Sequence, residues 1–457
     1  MIDDLLDFKK LFDEKERESK LSSIGVNSIV DTKQTISTGI LSLDLITCGG
    51  LQRGRAYEII GPEHGGKTTI LYSCFGQALK CIPRKLKGVF LDIEGLVDPT
   101  WFGHITGSEN MESVFGKKDS QGEWEIEPQI RYYKPSFGEQ GLKFIKRMMK
   151  VMPDKVLVGD YWYYMWSPRA PKVVSKVGGW TIEELKKQLG DNYSKKLLAK
   201  YGNFYVPIDD NYGGPEMIIG VDSWVAMTPE AIAEEDSDAI ASQARMFAKH
   251  LNDVKSLISA KGVVLVGINQ IRMTPLSYGN PESTPGGNTL KHMTDVRIRI
   301  QAVSNQNGKG MTEEEDTDIY RHFKLKTIKN KTFIPFLEAT GRWWVAHDGV
   351  SGYGPDPVID ILNYLKMTNQ LKQEKSAFYI RMISKNEKLI RLGEIKFTYD
   401  KFKDFVLSKK VKGLEIDLKK MCHKQISHGN GLTLYLKGNP ADFIEEKEDV
   451  INEEDES

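Results

Sequence analysis

Residues 61 to 69 read GPEHGGKTT, which satisfies the spacing G-x-x-x-x-G-K-[ST] between a strand-like run and a helix-like run. Glycines let backbone amides curl around phosphate oxygens, and the helix that follows adds a favourable dipole. The lysine reaches the terminal phosphates of a nucleotide, and the hydroxyl can ligate Mg²⁺. The predicted nucleotide contacts are Gly61, Pro62, Glu63, His64, Gly65, Gly66, Lys67, Thr68 and Thr69.

Two apolar runs end in carboxylates that suit a nucleotide hydrolysis site. MIIGVDS closes on Asp222, in the form of the Walker B acid that lies near Mg²⁺, so Thr68 and Asp222 are the predicted metal ligands. GVFLDIEG closes on Asp92 and Glu94, which stand two residues apart and are expected to face the same side of a strand. A carboxylate at this place can act as general base toward water. The residues alone leave open the alternative that it caps a helix.

The stretch NPESTPGGN, residues 280 to 288, follows a buried strand that ends in Asn269 and Gln270. Its prolines and glycines exclude a helix or a central strand. Ligands of parallel α/β sheets lie at the carboxyl ends of strands, where a glutamine can hydrogen-bond a γ-phosphate. Loop amides and nearby basic groups suit phosphodiester contacts, whereas the alternative is an ordinary surface loop. The predicted DNA contacts are Arg272, Asn280, Gly286, Gly287, Asn288 and Lys291.

A sheet must position these residues, and the pattern from about residue 35 to 340 predicts one. Short apolar runs alternate with helical segments, which favours an α/β domain with a mostly parallel, twisted sheet. The predicted strands are Ala56–Ile60, Gly88–Ile93, Ile130–Tyr133, Met217–Val221, Gly262–Ile268, Val296–Ile300 and Phe323–Ile328.

Four segments are predicted along the chain. Residues 1–34 are expected to form a helix and linker that contact another protomer, and residues 35–340 the P-loop ATPase core. Residues 341–440 are expected to form a small C-terminal mixed α/β domain, followed by an acidic disordered tail at 441–457.

One segment interrupts the core. Residues 151–215 are too long for an ordinary connection and include the aromatic run from Tyr161 to Trp166. These aromatics either pack a small core or stack on bases. We expect a peripheral subdomain in which they pack, attached opposite the catalytic edge of the sheet.

The composition excludes several protein classes. The four cysteines form no CxxC pair and no histidine cluster accompanies them, which argues against a disulfide framework or a zinc site. A reduced, cytoplasmic location is therefore expected. The chain begins with a charged amphipathic stretch rather than a signal peptide, and no apolar run approaches the ~18 residues that span a membrane, so no membrane contact is expected.

Charge is distributed unevenly although its sum is zero. The chain contains 63 basic and 63 acidic residues, but residues 361–440 contain 17 basic against 7 acidic ones. The segment from 442 to 457 contains nine acidic residues and one lysine. Such asymmetry indicates nucleic-acid contact or an interaction tail.

As a set, these motifs resemble the RecA family of homologous-recombination ATPases. The run TISTGILSLDLITCGGLQRGRAYEIIGPEHGGKTT is similar to the family's approach to its P-loop. FLDIEGLVDPTW, KPSFGEQGL, VDSWVAMTPEA, INQIRM, GNPESTPGGNTLK and KNKTFIPF follow in the family's order. The resemblance covers roughly residues 25–150 and 214–350, and the divergence elsewhere resembles phage-encoded, UvsX-like members.

The resemblance implies a role for each matching residue. Glu94 matches the catalytic base, Trp101 the aromatic that stacks on adenine, and Gln270 the link between γ-phosphate and DNA loops. Residues 272–288 match the second DNA loop, and about 233–241 the first. The implied catalytic residues are Glu94, Lys67, Gln270, Lys329 and Lys331.

Two of these, Lys329 and Lys331, stand two apart on a predicted strand, so both ammonium groups should leave one face. In the family such lysines reach the ATP of the neighbouring protomer. The alternative is a solvent-facing pair.

The implied function is an ATP- and Mg²⁺-dependent recombinase that forms a homo-oligomeric helical filament on single-stranded DNA and pairs it with duplex DNA. One alternative is a ring-shaped helicase motor with the same core, against which the NPESTPGGN loop and the KNK motif argue. Another is a weakly hydrolysing, ATP-switched DNA-coating protein. Intact Lys67, Glu94 and Gln270 argue against it.

Overall fold

The computed structural model describes residues 35–95, 97–158, 161–166, 187, 204–230, 239–273, 282–303, 320–344, 353–374, 377–383, 389–391, 395–411, 414–427 and 448–450. The expected N-terminal helix lies outside these ranges, as do residues 167–203 of the expected insertion apart from residue 187. No helix within them is long and apolar enough to cross a membrane.

The secondary structure alternates strands and helices in the first two thirds of the described chain. The strands are β1 Thr35–Ile36, β2 Leu51–Gln52, β3 Ala56–Gly61, β4 Gly88–Asp92, β5 Lys117–Lys118, β6 Trp124–Ile126, β7 Ile130–Tyr133, β8 Asp154–Val158, β9 Tyr161–Trp166, β10 Phe204–Pro207, β11 Ile218–Asp222, β12 Val264–Gln270, β13 Arg272–Met273, β14 Glu282–Ser283, β15 Val296–Val303, β16 Tyr320–Asn330, β17 Glu338–Trp344, β18 Gly354–Pro355, β19 Leu371–Glu374, β20 Ala377–Ile383, β21 Leu389–Arg391, β22 Lys410–Val411, β23 Leu414–Glu415 and β24 Glu448–Val450. The α-helices are α1 Leu41–Ile46, α2 Lys67–Cys81, α3 Pro99–Thr106, α4 Met111–Phe115, α5 Gly138–Val151, α6 Ala239–Lys261, α7 Gly287–Met293, α8 Pro357–Met367, α9 Tyr399–Ser408 and α10 Leu418–Ser427.

The described strands include a central nine-stranded sheet in the order β18-β17-β16-β15-β3-β12-β11-β4-β7. Neighbours run parallel from β15 to β7 and antiparallel from β15 to β18. Strands covered on both faces are typically continuous apolar runs, and β3, β4 and β11 are buried along their whole length. The predicted α/β class with a mostly parallel sheet is confirmed.

Helices cover both faces of this sheet and form two cores. On one face, α2 contributes Leu71 and Phe75 to a cluster that also contains Tyr57 and Ile59 of β3. On the other face, α5 and α6 pack Leu142 and Phe247 against apolar side chains of β4, β11 and β12. The strand that leads into the P-loop is therefore fixed from both sides.

All seven predicted strands are present, with ends shifted by up to three residues. The expected core boundary at residue 340 is wrong, because β17 and β18 continue the central sheet to Pro355. A glycine weakens a strand pattern in the sequence, yet β17 continues through Gly341. Its backbone instead lies against the Phe323 ring, where an added Cβ would come within 2.2 Å of a ring carbon.

The C-terminal segment is mixed α/β, and its apolar cluster includes Leu41 and Leu45 of α1. The buried Asp360 carboxylate of α8 accepts hydrogen bonds from the backbone amides of Leu41 (2.7 Å) and Ser42 (3.1 Å). Asp360 thereby caps the N-terminus of α1, although the two are separated by most of the sequence. Disorder was expected throughout the tail, but Glu448–Val450 pair in parallel with β21, whose edge offers backbone groups for pairing.

The described part of the insertion is a three-stranded antiparallel sheet of β8, β9 and β10. Trp162 and Tyr163 are buried, and the Arg53 guanidinium lies 4.2 Å from the Trp162 ring centroid. Lys155 Nζ donates to the Glu216 carboxylate (2.6 Å), directly before β11. Packing therefore accounts for Trp162 and Tyr163, whereas Tyr161 is exposed, and the insertion attaches at the amino end of β11.

This attachment predicts that the insertion is dispensable for chemistry. Replacing residues 159–208 with a Gly/Ser linker should leave the DNA-stimulated ATP hydrolysis that the sequence predicts close to its wild-type rate, because Lys155 still neutralises Glu216 at the far end of the sheet. A longer replacement of residues 155–212 is the matched comparison and should lower the melting temperature further, since Glu216 then keeps only Arg84. Loss of single-stranded DNA binding in a folded 159–208 variant would contradict the prediction.

Candidate functional site

The P-loop connects β3 to α2. Its Gly66 has φ +88°, a conformation that favours glycine, and an added Cβ would lie 2.7 Å from Nε1 of Trp343. The loop's exposed residues are Pro62, Glu63 and His64. Lys67 Nζ donates to the Pro62 carbonyl (2.6 Å), which holds the ammonium group across the mouth of the loop. The geometry combines a glycine turn, a helix N-terminus and a cation, which fits a phosphate group.

Carboxylates close the site at the ends of β4 and β11, where Asp92 and Asp222 are neighbours in register. Thr68 Oγ1 donates to Asp222 Oδ2 (3.1 Å). A hydroxyl and a carboxylate are oxygen ligands of the kind that Mg²⁺ prefers. Thr68 and Asp222 therefore fit the metal that the sequence predicts.

The expectation that Asp92 and Glu94 face the same side of a strand is wrong, because β4 ends at Asp92. The Asp92 carboxylate accepts from the amides of Gly95 (2.6 Å) and Val97 (3.1 Å) and from the Tyr132 hydroxyl (2.7 Å). It shapes the turn that contains Glu94. Glu94 Oε1 in turn accepts a hydrogen bond from Ser223 Oγ, next to Asp222.

Electrostatics at this edge favour a bound cation. Burial, followed by the nearby charge of Glu94, raises the pKa of Asp222 to about 7. Burial lowers the pKa of Lys67, against the opposing effect of Asp222, Glu94 and Glu63. Carboxylates crowded in this way are relieved by a divalent cation, so the site's charges complement Mg²⁺.

Mg²⁺ binding should therefore weaken as the pH falls below about 7. The metal needs the Asp222 carboxylate, and a raised pKa leaves that group neutral at lower pH. Each pH unit below the pKa should weaken Mg²⁺ affinity about tenfold. Mg²⁺ titrations of ATP hydrolysis at pH 6, 7 and 8 measure the shift. Identical midpoints at pH 6 and pH 8 would remove Asp222 from the metal site.

Gln270 is the last residue of β12 and pairs in register with Gly61 at the start of the P-loop. Its backbone amide donates to Oδ1 of the buried Asn269 (3.0 Å). The predicted γ-phosphate contact therefore ends at the same edge as Asp222 and the P-loop. This adjacency agrees with the sequence prediction, and the role of Gln270 stays a prediction.

The predicted DNA loop is a hairpin in which Arg272 of β13 pairs with Ser283 of β14. Asn280 lies outside the described residues. The expectation that residues 280–288 contain no helix is wrong at their end, because α7 begins at Gly287 and includes Asn288. Asn288 is exposed, Gly286 is buried and Lys291 is half-buried. Residues 233–238 of the expected first DNA loop likewise lie outside the described residues, and residues 239–241 begin α6.

The two predicted trans lysines differ in the structure. Lys329 Nζ donates to the Lys291 carbonyl (2.5 Å) at the end of α7. Lys331 lies one residue beyond β16 and is exposed. Burial and the nearby Lys331 charge lower the pKa of Lys329. Among the described residues no hydrogen bond or ion pair joins either lysine to the P-loop of its own chain, and the trans role of both lysines stays a prediction.

Trp101 lies on α3 beside the P-loop helix and is half-buried. Its ring meets Tyr353 edge to face at 5.3 Å, and Tyr353 stacks on His104 at 4.4 Å. An aromatic group at this place can offer a ring face to a base, and the adenine contact stays a prediction.

Three supporting residues were missed by sequence reasoning: Ser223 beside Glu94, Asn269 beside Gln270, and Trp343 against Gly66. A polar residue at or just after the end of an apolar run was the available signal for Ser223 and Asn269. No local signal indicates Trp343, whose partner is 277 positions away.

A model of the RecA N-terminal domain matches residues 10–128 and 210–348, more than half of the chain. The chain belongs to the RecA family. The match leaves out residues 129–209, which include most of the expected insertion, and extends past residue 340 in agreement with β17.

Individual RecA relatives are similar at moderate identity. Protein RecA of Deinococcus radiodurans is 28% identical over 70% of this chain and 65% of its own length. Protein RecA of Thermus aquaticus is 28% identical over 75% of this chain and 74% of its own. The mitochondrial DNA repair protein recA homolog of Dictyostelium discoideum is 26% identical over 70% and 52%. The chain thus spans less than two thirds of the Deinococcus and Dictyostelium proteins, and a phage origin stays a prediction.

Proposed function

We propose that this RecA-family protein is an ATP-dependent recombinase that forms a helical filament on single-stranded DNA, pairs that strand with a homologous duplex and exchanges strands. One observation carries the proposal. The P-loop, Asp222 and Gln270 end side by side at one edge of the sheet, and the hairpin with the predicted DNA contacts begins two residues after Gln270. The residues that would bind the nucleotide are therefore adjacent to those that would bind DNA.

The P-loop would bind the phosphates of ATP. Amides at the start of α2 point toward the anion, and Lys67 exchanges its bond with the Pro62 carbonyl for one with a phosphate oxygen. Thr69 adds its amide to the same helix turn. Trp101 would stack on the adenine, with Tyr353 supporting the ring from its edge.

Thr68 and Asp222 would hold Mg²⁺, which when bound neutralises charge on the phosphate oxygens. Glu94 would accept a proton from the attacking water, and Ser223 fixes the carboxylate through its hydrogen bond to Oε1. Gln270 would hydrogen-bond the γ-phosphate and thereby register whether it is present.

Lys331 would act in trans on the ATP of a neighbouring protomer, which requires a head-to-tail assembly. Lys329 would join it only after releasing the end of α7, since its ammonium group is bound there in the single chain. This arrangement would link the helix after the DNA hairpin to the neighbour's nucleotide.

DNA would contact the hairpin and the first turn of α7. The predicted groups are Arg272, Asn280, Gly286, Gly287, Asn288 and Lys291. The basic residues of 361–440 would gather duplex DNA through its phosphates. Base pairing would supply the sequence specificity.

ATP hydrolysis measured with and without single-stranded DNA tests the proposal, together with electron microscopy of the complexes. We expect DNA-stimulated hydrolysis, open helical filaments, and strand exchange with homologous but not heterologous duplex. Closed rings would favour a helicase motor, and filaments without stimulated hydrolysis would favour a coating protein. Lys67→Ala is the control, since it should lose hydrolysis under all conditions.

A further inference from the structure

A buried ionic network lies behind the site, between the strand that leads into the P-loop and the DNA hairpin. Glu58, in the middle of β3, has 0% of its surface exposed. Its Oε2 accepts from Nε of Arg297 (2.5 Å), its register partner on β15. Its Oε1 accepts from Nδ2 of Asn269 (2.8 Å) on β12. Neither Glu58 nor Arg297 has a role in the proposed chemistry.

The network continues into the returning strand of the hairpin. Arg297 Nη2 donates to Thr284 Oγ1 (3.0 Å), and Asn269 Nδ2 also donates to the Pro285 carbonyl (3.0 Å). Thr284 and Pro285 lie between β14 and α7, where the hairpin rejoins the core. Two separate bonds from the group around Glu58 therefore hold this end of the hairpin.

The same network sets the orientation of Asn269. A carboxylate accepts hydrogen bonds but cannot donate them, so Glu58 requires the NH₂ group of Asn269 to face it. The carbonyl oxygen of Asn269 then points to the backbone amide of Gln270, which donates to it at 3.0 Å. Glu58 thus fixes, through one side-chain amide, both Gln270 and Pro285.

Stability alone is a weak reason for such a pair. Replacing a buried ion pair with apolar groups of similar volume is often neutral or stabilising. An arginine fork that binds one carboxylate and one hydroxyl instead specifies direction and distance, which an apolar contact does not. The network joins β3, β12 and β15 to the hairpin through hydrogen bonds of defined geometry. Such a connection can pass a shift of the hairpin to the strands.

We propose that Glu58 and Arg297 are positioning residues that tie the returning end of the hairpin to Gln270. Ordering of the hairpin on DNA then moves Gln270 relative to the γ-phosphate, and nucleotide state acts on the hairpin by the same path. This inference rests on the proposed function and names the connection between its two sites.

Glu58→Gln tests the connection. Glutamine has an NH₂ group in place of one carboxylate oxygen. This donor then faces another donor, either the Asn269 NH₂ group or the Arg297 guanidinium, and that hydrogen bond is lost. Stimulation of ATP hydrolysis by single-stranded DNA should fall about tenfold, while the DNA-free rate and the DNA-free KM for ATP stay at wild-type values. Arg297→Lys should act in the same direction but less strongly, because an ammonium group cannot span Glu58 and Thr284 as the fork does.

Glu216→Gln is the matched control, since Glu216 is also a buried carboxylate with two basic partners, Arg84 and Lys155, at the opposite end of the sheet. It should lower the melting temperature and leave the stimulation ratio intact. Arg297→Lys decides the question if Glu58→Gln does not fold.

Full stimulation in the folded variants, or an equal loss in Glu216→Gln, would overturn the inference while the proposed function stands. Wild-type protein without DNA stimulation would overturn the proposed function and the inference with it.

Discussion

Glu94→Gln is expected to bind ATP and single-stranded DNA normally and to hydrolyse ATP about 10²–10⁴-fold more slowly than wild type. Glutamine has nearly the shape of glutamate, and its carbonyl oxygen can keep the hydrogen bond from Ser223 Oγ. The phosphate contacts of Lys67 and Thr68 are untouched, so the loss is confined to proton acceptance. Steady-state hydrolysis and a fluorescent-nucleotide binding assay separate the two effects.

The same variant has a second readout. The charge of Glu94 raises the pKa of Asp222, so its removal should lower that pKa and move the Mg²⁺ dependence toward lower pH. Glu112→Gln, an exposed carboxylate on α4, is the control and should change neither quantity. Near-normal DNA-stimulated hydrolysis in Glu94→Gln would assign the base elsewhere.

Lys331→Ala should fold and bind nucleotide, yet lose DNA-stimulated hydrolysis by about 10³–10⁵-fold, the effect of removing a trans cation from a transferring phosphoryl group. The side chain is exposed, and its loss leaves no buried partner unpaired among the residues that the structure describes. Lys326→Ala on the adjacent strand β16 is the matched control, because Lys326 is paired with Glu338 (3.1 Å) in its own chain.

A trans role also predicts rescue on mixing. In an equimolar mixture of Lys331→Ala and Glu94→Gln, a working interface needs Glu94 from the first and Lys331 from the second. Random head-to-tail assembly provides this at about one interface in four, so about a quarter of wild-type activity should return. Activity no higher than the sum of the separate variants would assign Lys331 a role within its own chain.

The sequence predicted the parts of the fold that depend on short-range pattern. Apolar runs that end in a carboxylate or an amide identify β11 and β12, because the ends of parallel strands meet at one edge. The glycine turn and the helix that follows it identify the P-loop, because both are also short-range features of the sequence. These elements place Asp222, Gln270 and Lys67 together without knowledge of the rest of the chain.

Hydrogen bonds between particular side chains and the backbone were beyond that reasoning. Asp92 turns away to bind the amides of Gly95 and Val97, and Lys329 binds the carbonyl of Lys291. A hydrogen-bond partner 38 positions away leaves no trace in local periodicity. The prediction of the core boundary was also wrong, since β17 joins the core by pairing with β16 in the central sheet.

The carboxylate that caps α1, on Asp360, is synthesised long after the helix itself. Leu41 receives its partner, Asp360, 319 residues later, and at 5–20 residues per second this interval lasts roughly 16–64 s. During that time the first helix of the core has exposed amides and an uncovered apolar face at Leu41 and Leu45. We therefore expect the nascent chain to expose this apolar face until synthesis has passed Asp360.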